Sequence, residues 1–274
     1  MMIFSSLAPI LGRTMVLVAH PDDESITCGG LLQRMRKPFV VFATDGAPED
    51  EYFWGKHGSR DAYSRLRQDE ARTALGHVGV SEVEFLAGQA SGTVRLEDQK
   101  LFRVLPLALE LLRNLIRDKE PDAILTLAYE GGHPDHDSCS FLAAQLGREF
   151  GLPVWESPLY HRNADGSGVY QRFVSERDEV VEFKVSGEML ERKQRMLQSY
   201  KSQFDALPHF EPECERFRVQ ADYNYLRPPH TGKTNYEVWQ WAMTAKELSE
   251  AFAEALVGLK APHKAASPQA QTES

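Results

Sequence analysis

The sequence predicts a doubly wound, Rossmann-like α/β fold with a mainly parallel sheet. Short apolar runs alternate with amphipathic segments over the first half of the chain. Those segments are long enough to form the helices of right-handed β-α-β connections. The 274 residues, of which 42% are hydrophobic and 26% charged, suffice for one large domain with its own core.

The predicted elements follow in order along the chain. Strands are predicted at the apolar runs TMVLVA (14–19), PFVVFAT (38–44), EVEFLA (82–87) and DAILTLA (122–128). Apolar spacings of three and four residues predict helices at about 25–36, 61–77, 99–118 and 137–150. Open parallel sheets bind ligands outside the carboxyl ends of their strands, near the point where the strand order reverses. The loops that follow these strands are therefore the places to look for a site.

The pattern is less regular after residue 150. A strand is predicted at 178–186 and a helix at 187–204. An irregular covering region rich in proline and aromatic residues follows at 205–240, and a last helix at 244–258. We interpret residues 1–260 as a single domain and residues 261–274 as a disordered tail.

Composition and charge exclude several classes of partner. The formal net charge of −9 argues against nucleic acid or an anionic membrane as the main partner. No run approaches the ~20 apolar residues of a membrane span, and the N-terminus lacks the positive segment of a signal peptide. We therefore expect a cytoplasmic protein, for which an oligomer is compatible with the sequence.

The three cysteines have no CxxC spacing, which indicates a reducing compartment without a disulfide framework. Cys28 and Cys139 lie close to the motifs described next. For both we favour a packed small side chain over a reactive or ligating thiol.

Two short segments rich in His and Asp follow predicted strands. AHPDDE closes the first strand, and YEGGHPDHD follows the strand at 122–128. A catalytic zinc site takes three ligands from His, Asp or Glu and leaves one position open. His20 and Asp23 can meet on a turn that enters a helix, and the second segment offers His133, Asp135 and His136, of which we favour His136 as the third ligand.

Each segment also has a purely structural interpretation. Its acids could cap the following helix and interact with the helix dipole. For Glu24 we favour such a capping role over metal binding. Either segment alone is as compatible with capping as with catalysis, but two of them at equivalent strand ends favour a metal site.

HPDDE and HPDH resemble the motifs of the PIG-L/LmbE-like zinc de-N-acetylases, which remove acetyl groups from N-acetylglucosamine units. TDG (44–46), RQDEARTALGHVGV (67–80), FL (85–86) and KQRMLQSYKSQF (193–204) match the same family in order and spacing. The resemblance covers most of residues 14–204. It implies one Zn²⁺ per chain, although other divalent ions would also bind, and an N-acetylated amino sugar or glycoconjugate as substrate.

The resemblance also implies roles for individual residues. The zinc ligands would be His20, Asp23 and His136. Asp22 would act as general base, His133 would stabilise the oxyanion or protonate the leaving amine, and Asp135 would orient His133 and raise its pKa. This chemistry is reasonable in its own right, because zinc acidifies bound water and a nearby base contributes roughly 10²–10⁴ in rate.

The sequence also suggests residues that contact the substrate. The resemblance suggests that Arg67 contacts a substrate hydroxyl, although a surface or capping arginine fits the sequence equally well. Asp45 and Gly46 are expected to shape the sugar pocket, and Asp45 could also be a turn residue. His161 and His230 are candidates for substrate contact, and for the matching residues Tyr200, Ser202 and Gln203 we expect packing or supporting roles.

Other segments differ from the family pattern. Gln89 and Ser91 stand where many relatives carry an acidic residue after Phe-Leu. The 51–60 and 205–240 segments lie outside the core motifs and are expected to select the aglycone. Their aromatic residues could stack on a sugar or aglycone, or simply pack: Tyr52, Phe53, Trp54, Tyr223 and Tyr225.

Three other functions compete with a sugar deacetylase. An amidohydrolase of the same fold could act on a non-sugar amide. A homologue that binds a sugar or metal without catalysis would have no need of a non-ligating base such as Asp22. A two-metal phosphoesterase would need more ligands than the sequence offers.

Overall fold

A seven-stranded sheet is the centre of the fold. The computed structural model describes residues 6–89, 95–175, 179–204 and 207–260. Among these residues the strands are β1 (Thr14–Val18), β2 (Phe39–Phe42), β3 (Val83–Phe85), β4 (Ala123–Leu127), β5 (Val154–Ser157), β6 (Tyr160–Arg162), β7 (Gly168–Tyr170), β8 (Val181–Lys184) and β9 (Cys214–Val219). The strand order in the sheet is β3-β2-β1-β4-β5-β9-β8, and β6 and β7 form a separate hairpin.

The first five strands of the sheet are parallel, as the sequence predicts. β1 pairs with β2 on one side and with β4 on the other, and β3 and β5 extend the sheet in parallel register. β1, β2 and β4 are buried along their whole length, which is the pattern of a parallel sheet covered on both faces. The mainly parallel α/β fold is therefore confirmed.

Helices cover the two faces of the sheet. They are α1 (Asp23–Leu32), α2 (Glu51–Trp54), α3 (Arg60–Gly76), α4 (Leu86–Gln89), α5 (Leu105–Lys119), α6 (Pro134–Phe150), α7 (Gly187–Ser199), α8 (Asn235–Val238) and α9 (Ala245–Lys260), with short 3₁₀ turns between them. α5 shows why they pack as they do. Its buried residues recur at spacings of three and four, so one apolar stripe faces the sheet: Leu105, Ala108, Leu109, Leu112, Leu115 and Ile116.

The sequence predicts β8, the strand at the edge of the sheet, but misses the two strands that lie between β8 and β4. β9 lies within the segment predicted to be irregular, yet it pairs antiparallel with both β5 and β8 inside the main sheet. β5 and the β6–β7 hairpin are also absent from the prediction, and the helix predicted at 99–118 is a 3₁₀ turn followed by α5. Residues 261–274 lie outside the described residues, and the single domain 1–260 stays a prediction.

Helix α1 is interrupted in its middle. Cys28 has φ −144° and ψ 16°, outside the helical region. The amides of Gly30 and Leu31 donate to the buried carboxylate of Glu215, at 2.6 and 2.9 Å. Lys193 Nζ bonds that carboxylate at 2.7 Å and the carbonyl of Ile26 at 3.0 Å. This buried ion pair therefore satisfies backbone groups that the break in the helix leaves free.

The strand order reverses between β1 and β4. The chain leaves β1 towards β2 on one side, and leaves β4 towards β5 on the other. The segments that follow the two strands, 19–23 and 128–136, therefore meet at the carboxyl edge of the sheet, where α/β proteins bind ligands. No helix within the described residues is long and apolar enough to cross a membrane.

Candidate metal centre

Three side chains from these two segments converge in a triangle of potential ligand atoms. His136 Nε2 lies 3.3 Å from His20 Nδ1 and 3.4 Å from Asp23 Oδ1. His20 Nδ1 lies 3.7 Å from Asp23 Oδ2. Ligands placed ~2.0–2.1 Å from a tetrahedral ion stand about 3.3 Å apart, so both the donor types and their spacing fit a single divalent metal.

Backbone contacts fix Asp23 in this position. Its Oδ2 accepts hydrogen bonds from the amides of Ala19 and His20, at 3.1 and 2.8 Å. Oδ1 is left to face His136. A carboxylate held by two amides has its orientation set before any ion binds, as is usual for the residues that support metal ligands.

His20 is held from behind by a second carboxylate. Its Nε2 lies 3.1 Å from Asp135 Oδ2, and Asp135 also accepts the amides of Gln99 and Leu101, at 2.7 and 3.0 Å. The Asp135 carboxylate therefore directs Nδ1 of His20 towards the triangle. Its Oδ2 lies 3.9 Å from His133 Nδ1, so the carboxylate supports His20 more directly than His133.

His133 is oriented by the backbone of Asp135. The amide of Asp135 donates to His133 Nδ1 at 3.1 Å, which also caps the start of α6. HPDH therefore does cap a helix, and this contact is compatible with a catalytic role for His133. Because Nδ1 accepts a hydrogen bond, the proton of the neutral ring lies on Nε2.

Asp98 is the residue of this centre that the sequence did not reveal. Its Oδ1 lies 3.4 Å from His20 Nε2 and 3.5 Å from His133 Nε2. Asp98 follows a loop without any recognisable motif, and its amide is held by Asp45 Oδ1 at 3.0 Å. Only tertiary contact places it in the centre, so no local signal could have identified it.

Other groupings of these side chains fit a metal less well. Single atoms from His20, His133 and His136, or from His20, Asp98, His133 and Asp135, also lie within 4.8 Å of one another. His133 has one ring nitrogen engaged by an amide, and its other nitrogen faces Asp98. We therefore favour His20, Asp23 and His136 as the candidate ligands.

The charges of the centre favour a bound cation. Burial disfavours a charged His20, yet Asp98 and Asp135 outweigh this effect and raise its pKa well above the usual value. The acids around His20 thus favour a positive charge there, which a metal ion would supply in place of a proton.

Burial and then the charge of His20 lower the pKa of His133 to about 4. The sequence predicted that Asp135 would raise the pKa of His133, and this prediction was wrong. Asp98 and Asp135 do act to raise this pKa, but they offset the effects of burial and of His20 only partly.

Asp22 lies beside the triangle in a strained backbone conformation. Its φ of 135° is rare for a residue other than glycine. Its side chain caps no helix amide, and Oδ2 lies 3.2 Å from Arg67 Nη2. Burial raises the pKa of Asp22 to about 8, while Arg67 acts in the opposite direction. A cation at the adjacent ligands would also favour the ionised form.

Arg67 braces the two loops at the edge of the sheet. Its Nη1 donates to the carbonyl of Gly46 at 2.6 Å, and Nη2 donates to the carbonyl of Pro21 at 2.7 Å. Gly46 has φ +61°, and a Cβ there would lie 2.9 Å from Pro21 Cδ. This position therefore requires glycine for two reasons.

Asp45 supports the centre from behind. It accepts the amides of Ala47 and Asp98, and Oδ2 pairs with Arg60 at 2.7 Å. Asp45 and Gly46 do not line the cleft described below, whereas Arg67 does. The structure thus places these two residues where they position Asp98 and Arg67 rather than at the cleft surface.

Some of the remaining predicted residues hold neighbouring segments together, and others line the cleft. Glu24 accepts the amide of Asp22 at 3.2 Å and the hydroxyl of Tyr200 at 2.6 Å. Ser202 donates to Glu70, and Gln203 donates to Tyr63. These contacts hold the segment after α7 against α1 and α3.

His161 is buried and lines the cleft. The ring of His230 lies 6.5 Å from that of His161, and His230 is not among the residues that line the cleft. Gln89 contacts Glu84, whereas Ser91 lies outside the described residues.

Cys28, Cys139 and Cys214 are free thiols, and burial raises the pKa of Cys28 and Cys139 well above the usual value. Both are inert packed side chains, as expected.

A cleft of about 510 Å³ opens onto the triangle. His20, Asp22, Asp23, His133 and His136 line its base. The volume lies within the ~300–1,000 Å³ of small-molecule sites. Taken together, the fold and this site define an α/β protein with a candidate mononuclear metal centre at the switch point of its sheet.

Comparison with known proteins finds a family match over part of the chain. Residues 15–146 match the family described as PIG-L, GlcNAc-PI de-N-acetylase. The matched residues include both His/Asp motifs.

Two relatives and one solved structure illustrate the similarity. The chain is 28% identical to the probable N-acetyl-alpha-D-glucosaminyl L-malate deacetylase 2 of Bacillus subtilis (strain 168), over 46% of this chain and 57% of that protein. It is 31% identical to the 1D-myo-inositol 2-acetamido-2-deoxy-alpha-D-glucopyranoside deacetylase of Mycobacteroides abscessus, over 45% and 51%. The chain therefore spans only about half the length of these relatives. A deacetylase of the teicoplanin biosynthetic pathway has the same fold, with a TM-score of 0.57 and 19% identity over 77% of this chain and 100% of that one.

Proposed function

We propose that this protein is a metal-dependent hydrolase that removes an N-acetyl group from an amino sugar or glycoconjugate of the N-acetylglucosamine type. Zinc is the proposed metal, at one ion per chain. The observation that carries the proposal is the convergence of the His20, Asp23 and His136 triangle with Asp22 and His133 at the base of one cleft. The names of the two relatives, both N-acetyl-sugar deacetylases, support the substrate class.

The proposed reaction is hydrolysis of the acetamide by one water molecule. When bound, a divalent metal supplies acidified water and polarises the amide carbonyl. Asp22 takes a proton from the attacking water. The neutral ring of His133 donates a hydrogen bond from Nε2–H to the oxyanion that develops as the carbonyl carbon is attacked. The C–N bond then breaks and the proton held by Asp22 passes to the leaving nitrogen, which gives acetate and the free amine.

The other residues of the centre keep these groups in place. Arg67 lies 3.2 Å from Asp22 and favours its ionised form before the reaction. The amide of Asp135 fixes the tautomer of His133, so that Nε2 carries the proton. Asp45 and Gly46 act through Asp98 and Arg67, which border the site of the sugar.

Replacing His136 with Ala should remove the metal. The triangle loses one of three ligands, and Nε2 of His136 is the atom that links the other two. We expect zinc content, measured by plasma mass spectrometry after dialysis, to fall from about one per chain to well below it. The matched control is His209→Ala, since His209 is exposed and lies on the outer cleft. Full retention of zinc by His136→Ala would show that another residue is the third ligand, and His133 would be the first to test.

The function is tested by acetate release from N-acetylated sugars, comparing metal-stripped protein with protein reloaded with zinc. The panel spans free N-acetylglucosamine, diacetylchitobiose, and the inositol and malate glycosides. Zinc-dependent release from any member supports the proposal. Release only from non-sugar acetamides would favour a different amidohydrolase, and zinc binding without any hydrolysis would favour a non-catalytic protein.

A further inference from the structure

We propose that the outer cleft is a subsite for an uncharged aglycone with a flat apolar face, such as an aryl group, attached to the N-acetylated sugar. This inference rests on the proposed function and names the class of glycoconjugate. The subsite is formed by five side chains that we call the aromatic wall: Tyr160, Tyr170, Phe210, Trp239 and Trp241.

The aromatic wall begins at the metal centre and runs outwards. The ring of Trp241 lies 4.9 Å from that of His133, and the ring of Tyr160 lies 5.3 Å from that of His136. Trp239 continues the wall, at 5.1 Å from Trp241 and 6.3 Å from Tyr160. A group that extends from a sugar at the base of the cleft would therefore meet these rings first.

The other side of the wall comes from the β6–β7 hairpin, which also carries Tyr160, and from Phe210. Tyr170, on the β6–β7 hairpin, packs on Phe210 with ring centroids 5.6 Å apart, and Phe210 lies 6.3 Å from Tyr160. His209 stacks on Tyr170 at 5.3 Å. Three separate segments thus place aromatic faces around one space.

Part of this aromatic surface is exposed to solvent. Trp239 is 45% exposed and Tyr170 is 41% exposed, although both are large side chains that normally lie mostly buried. Exposed apolar area beside a polar catalytic centre is typical of a binding site. One N-acetylated monosaccharide is smaller than the drug-sized ligands that a cleft of about 510 Å³ accommodates, so room remains for an aglycone.

The charges along the cleft favour an uncharged aglycone. The acids that line it, Asp22, Asp23 and Asp98, all lie at the base, and they would repel a second carboxylate or phosphate nearby. Among the described residues that line the outer part, Arg162 is the one arginine or lysine. Its Nη1 already donates to the carbonyl of Gly166 at 2.6 Å, and its Cζ lies 5.9 Å from the centre of the Trp239 ring.

The aromatic residues expected to select the aglycone from sequence are largely different. Tyr223 and Tyr225 pack against Tyr129, at 5.5 and 4.9 Å between ring centroids, and do not line the cleft. Of the 51–60 segment, Phe53 lines the cleft, whereas Tyr52 is 84% exposed and does not. The wall combines residues that are distant in sequence, and of its five members only Phe210 and Trp239 come from the 205–240 segment.

The test compares two uncharged substrates that differ only in the aglycone, the phenyl and methyl N-acetylglucosaminides, each as both anomers. For the zinc-loaded full chain we expect kcat/KM to be at least about tenfold higher for the phenyl glycoside of the preferred anomer. Trp239→Ala and Tyr170→Ala should each lower this phenyl-to-methyl ratio severalfold. Phe204→Ala is the matched control, because Phe204 is 74% exposed and lies outside the cleft lining.

Several outcomes would overturn the proposal while the deacetylase function stands. These are a ratio near one in the unchanged protein, a high ratio that neither variant lowers, or a malate glycoside preferred over the phenyl glycoside. A change in sedimentation mass for Trp239→Ala without a change in the ratio would identify the wall as a subunit interface instead.

Absence of acetate release from every glycoside contradicts the proposed function itself. Tryptophan fluorescence titration with the two glycosides then decides the subsite separately. If the phenyl glycoside binds more tightly than the methyl glycoside and Trp239→Ala abolishes the difference, the aglycone subsite is supported. Equal affinity for the two glycosides contradicts it.

Discussion

Asp22→Asn should lower kcat for deacetylation by about 10²–10⁴ and leave the metal content near one per chain. The amide of Asn cannot take a proton from water, whereas its size and its backbone preferences are close to those of Asp. The second point matters here, because the φ of residue 22 is 135° and Asn tolerates unusual φ values better than most residues. Metal binding should persist because the Asp22 carboxylate pairs with Arg67 and not with the ligand imidazoles.

Asp23→Asn is the matched comparison, with the same chemical change one residue away. Asp23 faces both His20 and His136, so its loss of charge should weaken metal binding directly. The two variants should therefore be inactive for different reasons. Asp22→Asn should keep its metal, whereas Asp23→Asn should lose it. Metal content by mass spectrometry and acetate release at saturating substrate measure the two effects. Loss of zinc from Asp22→Asn would place Asp22 among the ligands, and unchanged kcat would assign the base to another residue.

The first half of the fold could be predicted because its physics is local. β1, β2 and β4 lie within one or two residues of the runs at 14–19, 38–44 and 122–128. A strand that is buried on both faces must be apolar throughout, which is visible in any short window of sequence. The same property placed the two His/Asp motifs at one edge of the sheet before any contact was known.

β5 and β9 escaped prediction because charged residues interrupt them. Glu156 in β5 is fully buried and accepts from Arg218 in β9 at 2.7 Å and from the hydroxyl of Tyr223 at 2.8 Å. β9 also carries Glu215, which is buried against Lys193. A charged side chain is excluded from a core only when it lacks a partner, and these partners lie many residues away. No periodicity of the local sequence reveals such pairs.

In the candidate site, too, some residues could be predicted from the local sequence and others could not. The residues that occur in compact motifs, such as His20, Asp23 and His136, converge as predicted. Asp98 and the aromatic wall come from loops whose positions depend on long-range contacts, such as that between the Asp98 amide and Asp45. The candidate metal ligands could therefore be identified from sequence motifs, whereas Asp98 and the aromatic wall could not.

Lys193→Met should be strongly destabilising although it lies outside the metal centre. Lys193 and Glu215 are both fully buried, with 2.7 Å between Nζ and Oε1. Methionine has a similar volume, so the main effect is to leave the Glu215 carboxylate buried without its cation. Removing one partner of a buried ion pair costs about 3–5 kcal/mol in the free energy of unfolding. The carbonyl of Ile26 also loses its donor at the break in α1.

Urea unfolding followed by circular dichroism measures this loss, with Lys246→Met as the control. Lys246 is a lysine on a helix with a partner, Glu250 at 3.5 Å, but its side chain is 83% exposed. Exposed pairs contribute about 0–1 kcal/mol, so the control should remain close to the unchanged protein. Equal stability of the two variants would show that the buried pair contributes no more than a surface pair.

The pH dependence of the difference identifies the buried charge as its cause. Burial raises the pKa of Glu215 even though Lys193 opposes this, so removal of Lys193 should raise that pKa further. An acid whose pKa is higher in the folded than in the unfolded protein gains stability as the pH falls. The variant gains more than the unchanged protein does, and the difference in stability should therefore shrink from pH 8 towards pH 5. Lys193→Met combined with Glu215→Gln should be less destabilised than Lys193→Met alone at pH 8, since no uncompensated charge remains. A difference that is independent of pH, and unchanged in the double variant, would assign the loss to packing rather than to charge.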